Sequence, residues 1–429
     1  MTRIELAKKG IITDEMKAVA SAEGISPEKL ASDIAEGVIV ITRNNLHDIT
    51  PLGIGRGLKT KINANIGTSK DRVSYDEEIK KLEVLVKYGA DAVMDLSTGG
   101  DIKGLRNTLI KKSSISVGTV PIYEAVVRTV EKHGHISKMT ADDIFGIIED
   151  HAKDGVDFVT VHCGITQKAI ERLRQDRRIL DVVSRGGAFL LEWMIYNNKE
   201  NPLYEQYDRL LEMAKKYDLT LSLGDGFRPG CLADATDRSQ IEELVTLGEL
   251  RDMALSEGVQ TIIEGPGHVP LNQVELNIKI QKEICKGAPF YVLGPLVTDI
   301  AMGYDHIAAA IGGAIAGAAG ADFLCYVTPS EHIRLPDIDD VIEGVVASKI
   351  AAHAADIAKG ISGAIEKDKR MAQFRKNLDW EGQISLSFNP DKVRRLRGEA
   401  PPALSEVCSM CGEFCAIKTV ERALQKKEK

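Results

Sequence analysis

The sequence predicts an α/β protein built around a (β/α)8 barrel of the TIM type. From residue 61 onward, nine short apolar runs alternate with amphipathic stretches, and polar or glycine-rich residues follow the runs. Strictly alternating strands and helices predict a parallel sheet, and this number of units favours a closed barrel. An open, doubly wound sheet is the alternative, but no G-x-G-x-x-G follows any of the runs.

The predicted strands and helices follow from these runs in order. The strands are Lys61–Ile66, Ala92–Leu96, Ile115–Val120, Asp157–His162, Ile179–Ser184, Leu219–Gly224, Gln260–Glu264, Phe290–Gly294 and Asp322–Thr328. The helices between them include Tyr75–Tyr88, Ala141–Lys153, Pro202–Lys216 and Asp237–Ser256. Because a barrel of this type has eight strands, one run must lie outside it. Ile179–Ser184 fits the strand pattern least well.

Three regions are expected along the chain. Residues 1–60 form an N-terminal helical region, in which Thr13–Glu23 and Ser26–Glu36 each start at a capping residue. Residues 61–339 form the barrel. Residues 340–429 form a helical arm that begins with a long helix, Asp340–Ile361, and carries a cysteine-rich segment. The uncharged run Ile307–Ala321 is too short for a membrane span and predicts a buried helix.

Composition narrows the possible partners of the protein. The chain has 429 residues and a net charge of −8, which does not indicate binding to nucleic acid or to a membrane surface. Gly53–Gly57 resembles a phosphate-binding loop but lacks the following G-K-[ST]. Met1–Gly10 has no apolar segment typical of a secretion signal, so we expect the reducing cytoplasm.

A cysteine motif near the end of the chain predicts a metal centre. Cys408, Cys411 and Cys415 have the spacing C-x2-C-x3-C. Three thiolates hold three irons of a [4Fe–4S] cluster and leave the fourth iron open to bind another molecule. A zinc site is the first alternative, although no histidine follows His353 to complete four ligands. A disulfide is the second, although three cysteines leave one unpaired.

Polar residues collect where the predicted strands end. In a barrel, all these positions face one mouth, where active sites lie. They are Asn65, Met94, Asp95, Tyr123, His162, Ser184, Arg185, Gly186, Asp225, Gly226, Phe227, Arg228, Glu264, His268, Tyr291 and His332.

Several of these positions have more than one interpretation. His268 and His332 are suited to a divalent metal, but the residues alone favour a hydrogen-bonded histidine pair. Arg185 and Arg228 stand beside glycines, a combination that suits a phosphate group, and an ion pair at the rim is the alternative for Arg185. His162 and Cys163 have the residue types of a base and a nucleophile, although a packed cysteine is the simpler interpretation.

The sequence closely resembles the ThiC-type radical S-adenosylmethionine (SAM) family, whose members rearrange aminoimidazole ribotide. The matching stretches are NANIGTS, DAVMDLSTGGDI, VGTVPIY, VSRGG, EGPGHVPLNQ, GAPFYVLGPLVTDI, CYVTP-x-EH and CSMCG. They extend over essentially the whole chain.

The resemblance implies a set of functional residues. The family's substrate contacts correspond to Asn65, Met94, Tyr123, His162, Ser184, Arg185, Gly186, Asp225, Gly226, Arg228, Glu264 and Tyr291, and Phe227 lies within the same loop. Its metal-binding histidines, with zinc as the expected metal, correspond to His268 and His332, in place of the hydrogen-bonded pair. Its cluster cysteines correspond to Cys408, Cys411 and Cys415.

The resemblance also implies a reaction and partners. A [4Fe–4S] cluster reduces SAM to a 5′-deoxyadenosyl radical, which takes hydrogen from the ribotide. The expected partners are an electron donor, such as flavodoxin or ferredoxin, and a second copy of the chain in a homodimer.

The sequence departs from the family pattern at four places, and three of them bear on the product. Phe227 replaces a usual leucine, Met302 a usual proline and Cys163 a usual alanine, and the last cysteine spacer is one residue shorter. Because the first three lie close to substrate-contacting positions, the sequence favours the branch that makes 5-hydroxybenzimidazole for cobamide synthesis. The alternative is phosphomethylpyrimidine synthesis for thiamin from the same substrate. A cluster-bearing electron-transfer or redox protein is a more distant possibility, because it would not need so many polar strand ends.

Overall fold

The computed structural model describes residues 1–425 and divides into two compact units, Met1–Lys359 and Gly360–Lys429. The first unit contains all of the β structure in the described chain. Its strands are β1 Ile39–Thr42, β2 Leu52–Gly55, β3 Lys61–Ile66, β4 Ala92–Asp95, β5 Ser116–Thr119, β6 Phe158–Val161, β7 Thr220–Leu223, β8 Thr261–Gly265, β9 Phe290–Leu293 and β10 Phe323–Cys325. The division of the chain at residues 60 and 339 stays a prediction.

The strands β3 to β10 close into a parallel eight-stranded barrel, in the order β10-β3-β4-β5-β6-β7-β8-β9. This confirms the predicted (β/α)8 fold. The strands β4 to β8 are buried at every position, which explains why they appear in the sequence as continuous apolar runs. Inside the barrel, the ring of Phe323 lies 4.6 Å from that of Tyr291 and 6.1 Å from that of Phe158.

Helices follow the barrel strands and surround them in the first unit. The first unit's helices are α1 Arg3–Lys8, α2 Asp14–Glu23, α3 Pro27–Ala35, α4 Tyr75–Tyr88, α5 Ile102–Lys112, α6 Pro121–His133, α7 Ala141–Asp154, α8 Gln167–Asp176, α9 Arg185–Asn197, α10 Pro202–Glu205, α11 Tyr207–Tyr217, α12 Arg238–Ser256, α13 Leu271–Ile284, α14 Asp305–Ala319 and α15 Ile338–Lys359. The predicted helix at 202–216 is therefore two helices, which meet at Gln206.

The run Ile179–Ser184 is not a strand, and it is the one of the nine candidate runs that lies outside the barrel, as its weak strand pattern indicated. Its backbone N–H groups bind side chains instead of a neighbouring strand: the amides of Ile179 and Leu180 donate to the Asp234 carboxylate at 2.8 and 2.9 Å. Asp181 has a φ of 45°, which no extended strand adopts. The side chain of Ile179 is 70% exposed. The segment is a loop at the barrel mouth that leads into α9.

The N-terminal region contains the two predicted helices and also an antiparallel hairpin, β1–β2, which sequence analysis missed. The hairpin covers the amino end of the barrel. The Ile41 amide donates to the side chain of Gln260, just before β8, and the Asn44 amide donates to Asp157, just before β6, both at 2.8 Å. The strands were missed because the contacts that stabilise them come from barrel residues far away in the sequence.

The Ala/Gly-rich helix α14 packs closely against α15. A Cβ atom at Gly317 would lie 2.7 Å from the Cβ of Ala355, so glycine is needed for this approach of the two helices. This agrees with the prediction of a packed helix. Within residues 1–425, no helix is both long enough and apolar enough to cross a membrane.

The second unit is helical in its described part. It contains α16 Ala364–Lys376, α17 Trp380–Leu386, α18 Pro390–Glu399 and α19 Ala416–Gln425. The guanidinium of Arg397 lies 3.8 Å from the ring centroid of Trp380 and donates to the carbonyl of Val407 at 3.2 Å. The Trp380 indole N–H donates to the carbonyl of Glu406 at 3.0 Å. These contacts fix the chain directly before the cysteine motif.

Candidate active site

The carboxyl ends of the barrel strands surround a cavity that is open to solvent at the barrel mouth. Its walls come from all eight barrel strands or the residues just after them. It is lined by Asn65, Met94, Leu96, Val120, Tyr123, Thr160, His162, Asp225, Arg228, Glu264, Gly265, Tyr291, Val292, Leu293 and Cys325. The structure therefore brings together Asn65, Met94, Tyr123, His162, Asp225, Arg228, Glu264 and Tyr291 from the predicted substrate contacts.

Glu264 is held by the two strands that precede it in the barrel. One carboxylate oxygen, Oε1, accepts hydrogen bonds from Thr160 Oγ1 at 2.7 Å and Ser222 Oγ at 2.8 Å. Burial raises the pKa of Glu264, whereas these two bonds lower it. The two hydroxyls were not predicted. Thr160 stands two residues before His162, so the period of two along a strand would have found it, whereas Ser222 has no such relation to Asp225.

His162 lies in the cavity wall as a neutral imidazole. Burial, and then the charge of Arg228, lower the pKa of His162 to about 3. Its Nε2 lies 3.1 Å from Ser184 Oγ, and its Nδ1 is buried without a hydrogen-bond partner among residues 1–425. A buried, unpaired ring nitrogen in a cavity wall is suited to a polar atom of a ligand.

Charged groups define one side of the cavity. Arg228 NH1 donates to Asp225 Oδ1 at 3.2 Å, while Asp225 Oδ2 is buried with no hydrogen-bond partner in the described chain. Burial raises the pKa of Asp225, and the Arg228 charge lowers it. The Arg185 guanidinium lies 5.0 Å from the ring centroid of Tyr123 and lines a neighbouring cavity. Two arginines at one mouth are suited to an anionic group such as phosphate.

The opposite wall is a hydrogen-bonded amide network. The Asn63 side-chain amide donates to the Tyr291 hydroxyl at 2.6 Å and to Asn65 Oδ1 at 2.9 Å. The Asn65 amide in turn donates to Cys325 Sγ at 3.1 Å. Asn63 and Cys325 were not predicted as site residues. This network fixes the orientation of the Asn65 and Tyr291 side chains, which line the cavity.

Four other predicted substrate residues, Ser184, Gly186, Gly226 and Phe227, do not line the cavity. A Cβ atom at Gly186 would lie 2.3 Å from the His162 ring, and one at Gly226 would lie 2.4 Å from Ile165. Ser184 caps α9 and contacts His162. Phe227 is fully buried and does not line the cavity.

His268 and His332 lie side by side, with ring centroids 5.3 Å apart. His268 Nδ1 lies 2.8 Å from Asp299 Oδ1, an arrangement that leaves Nε2 as the free electron-pair donor, as in many metal sites. His332 has a φ of 60°, a strained conformation that is concentrated at functional sites. The pair fits a divalent cation. Among residues 1–425, no three His, Cys, Asp or Glu side chains are grouped as a metal site, so a metal at this pair would need further ligands from elsewhere.

The three cysteines of the motif lie on one short segment of the second unit, and all three are free thiols. Cys415 is buried, Cys408 is half-buried and Cys411 is exposed. Backbone N–H groups of Cys411 and Met410 lower the pKa of Cys408, which favours the thiolate that binds iron. A tight turn connects the residues, because the Gly412 amide donates to the Cys408 carbonyl at 3.1 Å. The donor set fits an iron–sulfur cluster.

Comparison with known proteins agrees with this arrangement. The model of the Radical SAM ThiC family matches residues 2–422. A phosphomethylpyrimidine synthase of Thermodesulfovibrio yellowstonii is 69% identical over 99% of this chain and 100% of its own. Proteins of the same name from Geobacter metallireducens and Desulforamulus reducens are 61% and 59% identical over 99% of this chain, with 98% and 99% of their own lengths covered.

The family match, over a chain that folds as a parallel barrel and carries a three-cysteine motif, places the protein among the radical SAM enzymes. The chain belongs to the Radical SAM ThiC family.

The predicted 5-hydroxybenzimidazole branch is wrong. These three relatives are all named phosphomethylpyrimidine synthase, which was the alternative. The structure gives a physical reason for the error. Neither Phe227, fully buried, nor Met302, 66% exposed, lines the cavity, so neither departure changes the shape of its wall. The prediction of a role in cobamide synthesis is therefore wrong as well.

Proposed function

We propose that this protein is a phosphomethylpyrimidine synthase, which converts aminoimidazole ribotide to the pyrimidine phosphate of thiamin synthesis in a SAM-dependent radical reaction. The observation that carries the proposal is the full-length match, at 69% identity, to a relative of that name. The cavity supports it, because its lining combines apolar side chains with a few polar and charged groups, as sites for small molecules do.

Each wall of the cavity has a role in this proposal. Arg228 and Arg185 bind the phosphate through charge-assisted hydrogen bonds. Asn65, Tyr123 and Glu264 orient the ribose and the imidazole ring. His162, which is neutral, binds a polar atom of the substrate and does not compete with the arginines for the phosphate charge. The buried lining excludes water, which protects a reactive radical from side reactions.

The cofactors follow from the residues that fit them. Cys408, Cys411 and Cys415 would hold a [4Fe–4S] cluster, and this cluster would bind SAM. When bound, the cluster supplies the electron for reductive cleavage of SAM. His268 and His332 hold a divalent metal, for which zinc is our choice because imidazole nitrogens are among its preferred ligands. An external donor such as flavodoxin or ferredoxin provides the electron, and the enzyme acts as a homodimer.

Anaerobic turnover tests the proposal. The cluster-loaded enzyme receives aminoimidazole ribotide, SAM and a chemical reductant, and the product is identified by mass spectrometry. We expect hydroxymethylpyrimidine phosphate, and we expect the gene to restore growth of a thiamin auxotroph. Detection of 5-hydroxybenzimidazole, or SAM cleavage that does not depend on the ribotide, would overturn the proposal.

A further inference from the structure

The turn that carries Asp225 and Arg228 is held from behind by a buried carboxylate that does not line the main cavity with them. Glu243, on α12, is 2% exposed. Its Oε1 accepts a hydrogen bond from the Gly226 amide and its Oε2 from the Phe227 amide, both at 2.8 Å. One carboxylate thus binds both peptide N–H groups between the two charged residues.

An arginine holds the carbonyl side of the same residue. Arg178 NH2 donates to the Phe227 carbonyl at 2.7 Å. The guanidinium itself is fixed by a two-bond contact with Asp237, at 2.6 and 2.8 Å. Because Asp237 is also the N-cap of α12, both contacts of the turn lead back to the same helix.

The turn has little room to move once these bonds form. A Cβ at Gly226 would lie 2.4 Å from Ile165 Cδ1, and a Cβ at Gly187 would lie 2.8 Å from the Cα of Gly226. The turn is therefore packed against the first turn of α9, which carries Ser184 and Arg185. A shift at Phe227 would move Asp225 and Arg228 together.

We propose that Glu243 and Arg178 are positioning residues, which hold the Phe227 peptide from both sides and so place Arg228 and Asp225 for the anionic substrate. The inference rests on the proposed function only in the choice of the ribotide as ligand. The inference also gives the buried Phe227 a role. Its backbone N–H and C=O groups connect the residues held by α12 to the cavity, and this role does not depend on its side chain.

The first test replaces Glu243 by glutamine. An amide offers one acceptor where the turn needs two, so an NH2 group would face a peptide N–H. In calorimetry with aminoimidazole ribotide and the cluster-loaded enzyme, we expect the Kd to rise at least about tenfold, which is the change that 1.4 kcal/mol corresponds to. In turnover, we expect KM to rise by more than kcat falls.

Asp157→Asn is the matched control. Asp157 is also a fully buried carboxylate with two peptide donors, Asn44 at 2.8 Å and Val117 at 2.7 Å, but it lies at the amino end of the barrel. This variant should lose stability and keep the ribotide Kd. A ribotide Kd that rises equally in both variants would show that Glu243 is merely structural and would overturn the inference.

Arg178→Lys provides an independent test if Glu243→Gln does not fold. Lysine keeps the charge but cannot bind Asp237 with two bonds and reach the Phe227 carbonyl as well. We again expect a weaker ribotide Kd, and an unchanged Kd would contradict the inference. If the wild-type enzyme does not bind the ribotide, the proposed function fails, and the same comparison with inorganic phosphate as probe decides the inference separately.

Discussion

Ser184 Oγ lies 3.1 Å from Nε2 of His162. Gly186, two residues later, lies so close to the same imidazole ring that there is no room for a Cβ atom between them. The start of α9 therefore sets the position of the histidine in the cavity wall. The absence of a side chain at residue 186 is as much a part of the site as the residues that line it.

Gly186→Ala should displace the His162 ring, because the new Cβ would lie 2.3 Å from Cε1. Overpacking of this kind costs about 1–3 kcal/mol of folding stability. Because the displaced ring belongs to the cavity wall, we also expect ribotide affinity in calorimetry to fall by about tenfold, the change that 1.4 kcal/mol corresponds to. Gly146→Ala is the control, since nothing lies within 4 Å of its added Cβ on α7. That variant should bind the ribotide normally and gain up to about 1 kcal/mol of stability.

Arg228→Ala should remove a charged contact to the phosphate and leave Asp225 without its partner. We expect ribotide binding to weaken by about 1.5–3 kcal/mol, the range for hydrogen bonds to charged groups. Isothermal calorimetry measures the change. Arg172→Ala, at the surface of α8, removes an arginine with only a 3.7 Å contact to Glu242 and should not change affinity. Equal affinity of both variants would place the phosphate elsewhere in the mouth.

Replacing any of Cys408, Cys411 or Cys415 by alanine should abolish SAM cleavage and lower the iron content. The thermal unfolding of the barrel should stay unchanged, because the cysteines lie in the other compact unit. Cys285→Ala is the opposite case: this buried thiol belongs to the barrel unit, so its loss should reduce stability and leave the iron content intact. Full SAM cleavage by a motif variant would refute the cluster assignment.

Asp299→Asn should weaken metal binding at the histidine pair without removing a ligand. Asp299 accepts the Nδ1–H of His268 at 2.8 Å, and loss of such a partner costs about 10–100-fold in metal affinity. Zinc titration of chelator-treated protein measures the effect, with Asp208→Asn, on the exposed side of α11, as control. Zinc affinity that is the same in both variants would argue against a metal at this pair.

His151→Gln should alter the acid limb of the stability curve. Burial lowers the pKa of His151 to about 4, although the hydrogen bond with Glu124 raises it. Between about pH 4 and the ordinary value near 6.5, the unfolded chain binds a proton that the folded chain does not, so stability rises with pH. The variant should lose up to about 1.4 kcal/mol per pH unit of this slope in that window. Denaturant unfolding at several pH values measures it, and an unchanged slope would show that His151 is not the group involved.

The barrel could be predicted from the sequence because parallel strands are buried on both faces. Their apolar runs were visible, and the predicted strand Lys61–Ile66 is observed with the same ends. The run at 179–184 has the apolar residues of a strand, and the sequence does not show that its backbone amides bind the distant Asp234 side chain. The hairpin β1–β2 was missed because its short strands are stabilised by contacts with the barrel.

The candidate site was predicted where single residues follow strands, and missed where support comes from distant positions. Glu243 is 17 residues from Gly226 in sequence, and nothing in its helical surroundings distinguishes it from a surface glutamate. Phe227 illustrates the reverse error. Its place beside Arg228 indicated a contact with substrate, but neighbouring residues in a turn point in different directions, and this side chain enters the core.

The hairpin β1–β2 closes the interior of the barrel at its amino end. Ile41 and Gln260 exchange two hydrogen bonds across that end, and the Asn44 amide donates to Asp157. In the described chain, ligands therefore enter and leave at the opposite rim. A molecule that binds deepest in the barrel must enter before, and leave after, any molecule that binds nearer the rim. The hairpin thereby fixes the direction of approach: a ligand of the cavity reaches it from the rim where the barrel strands end.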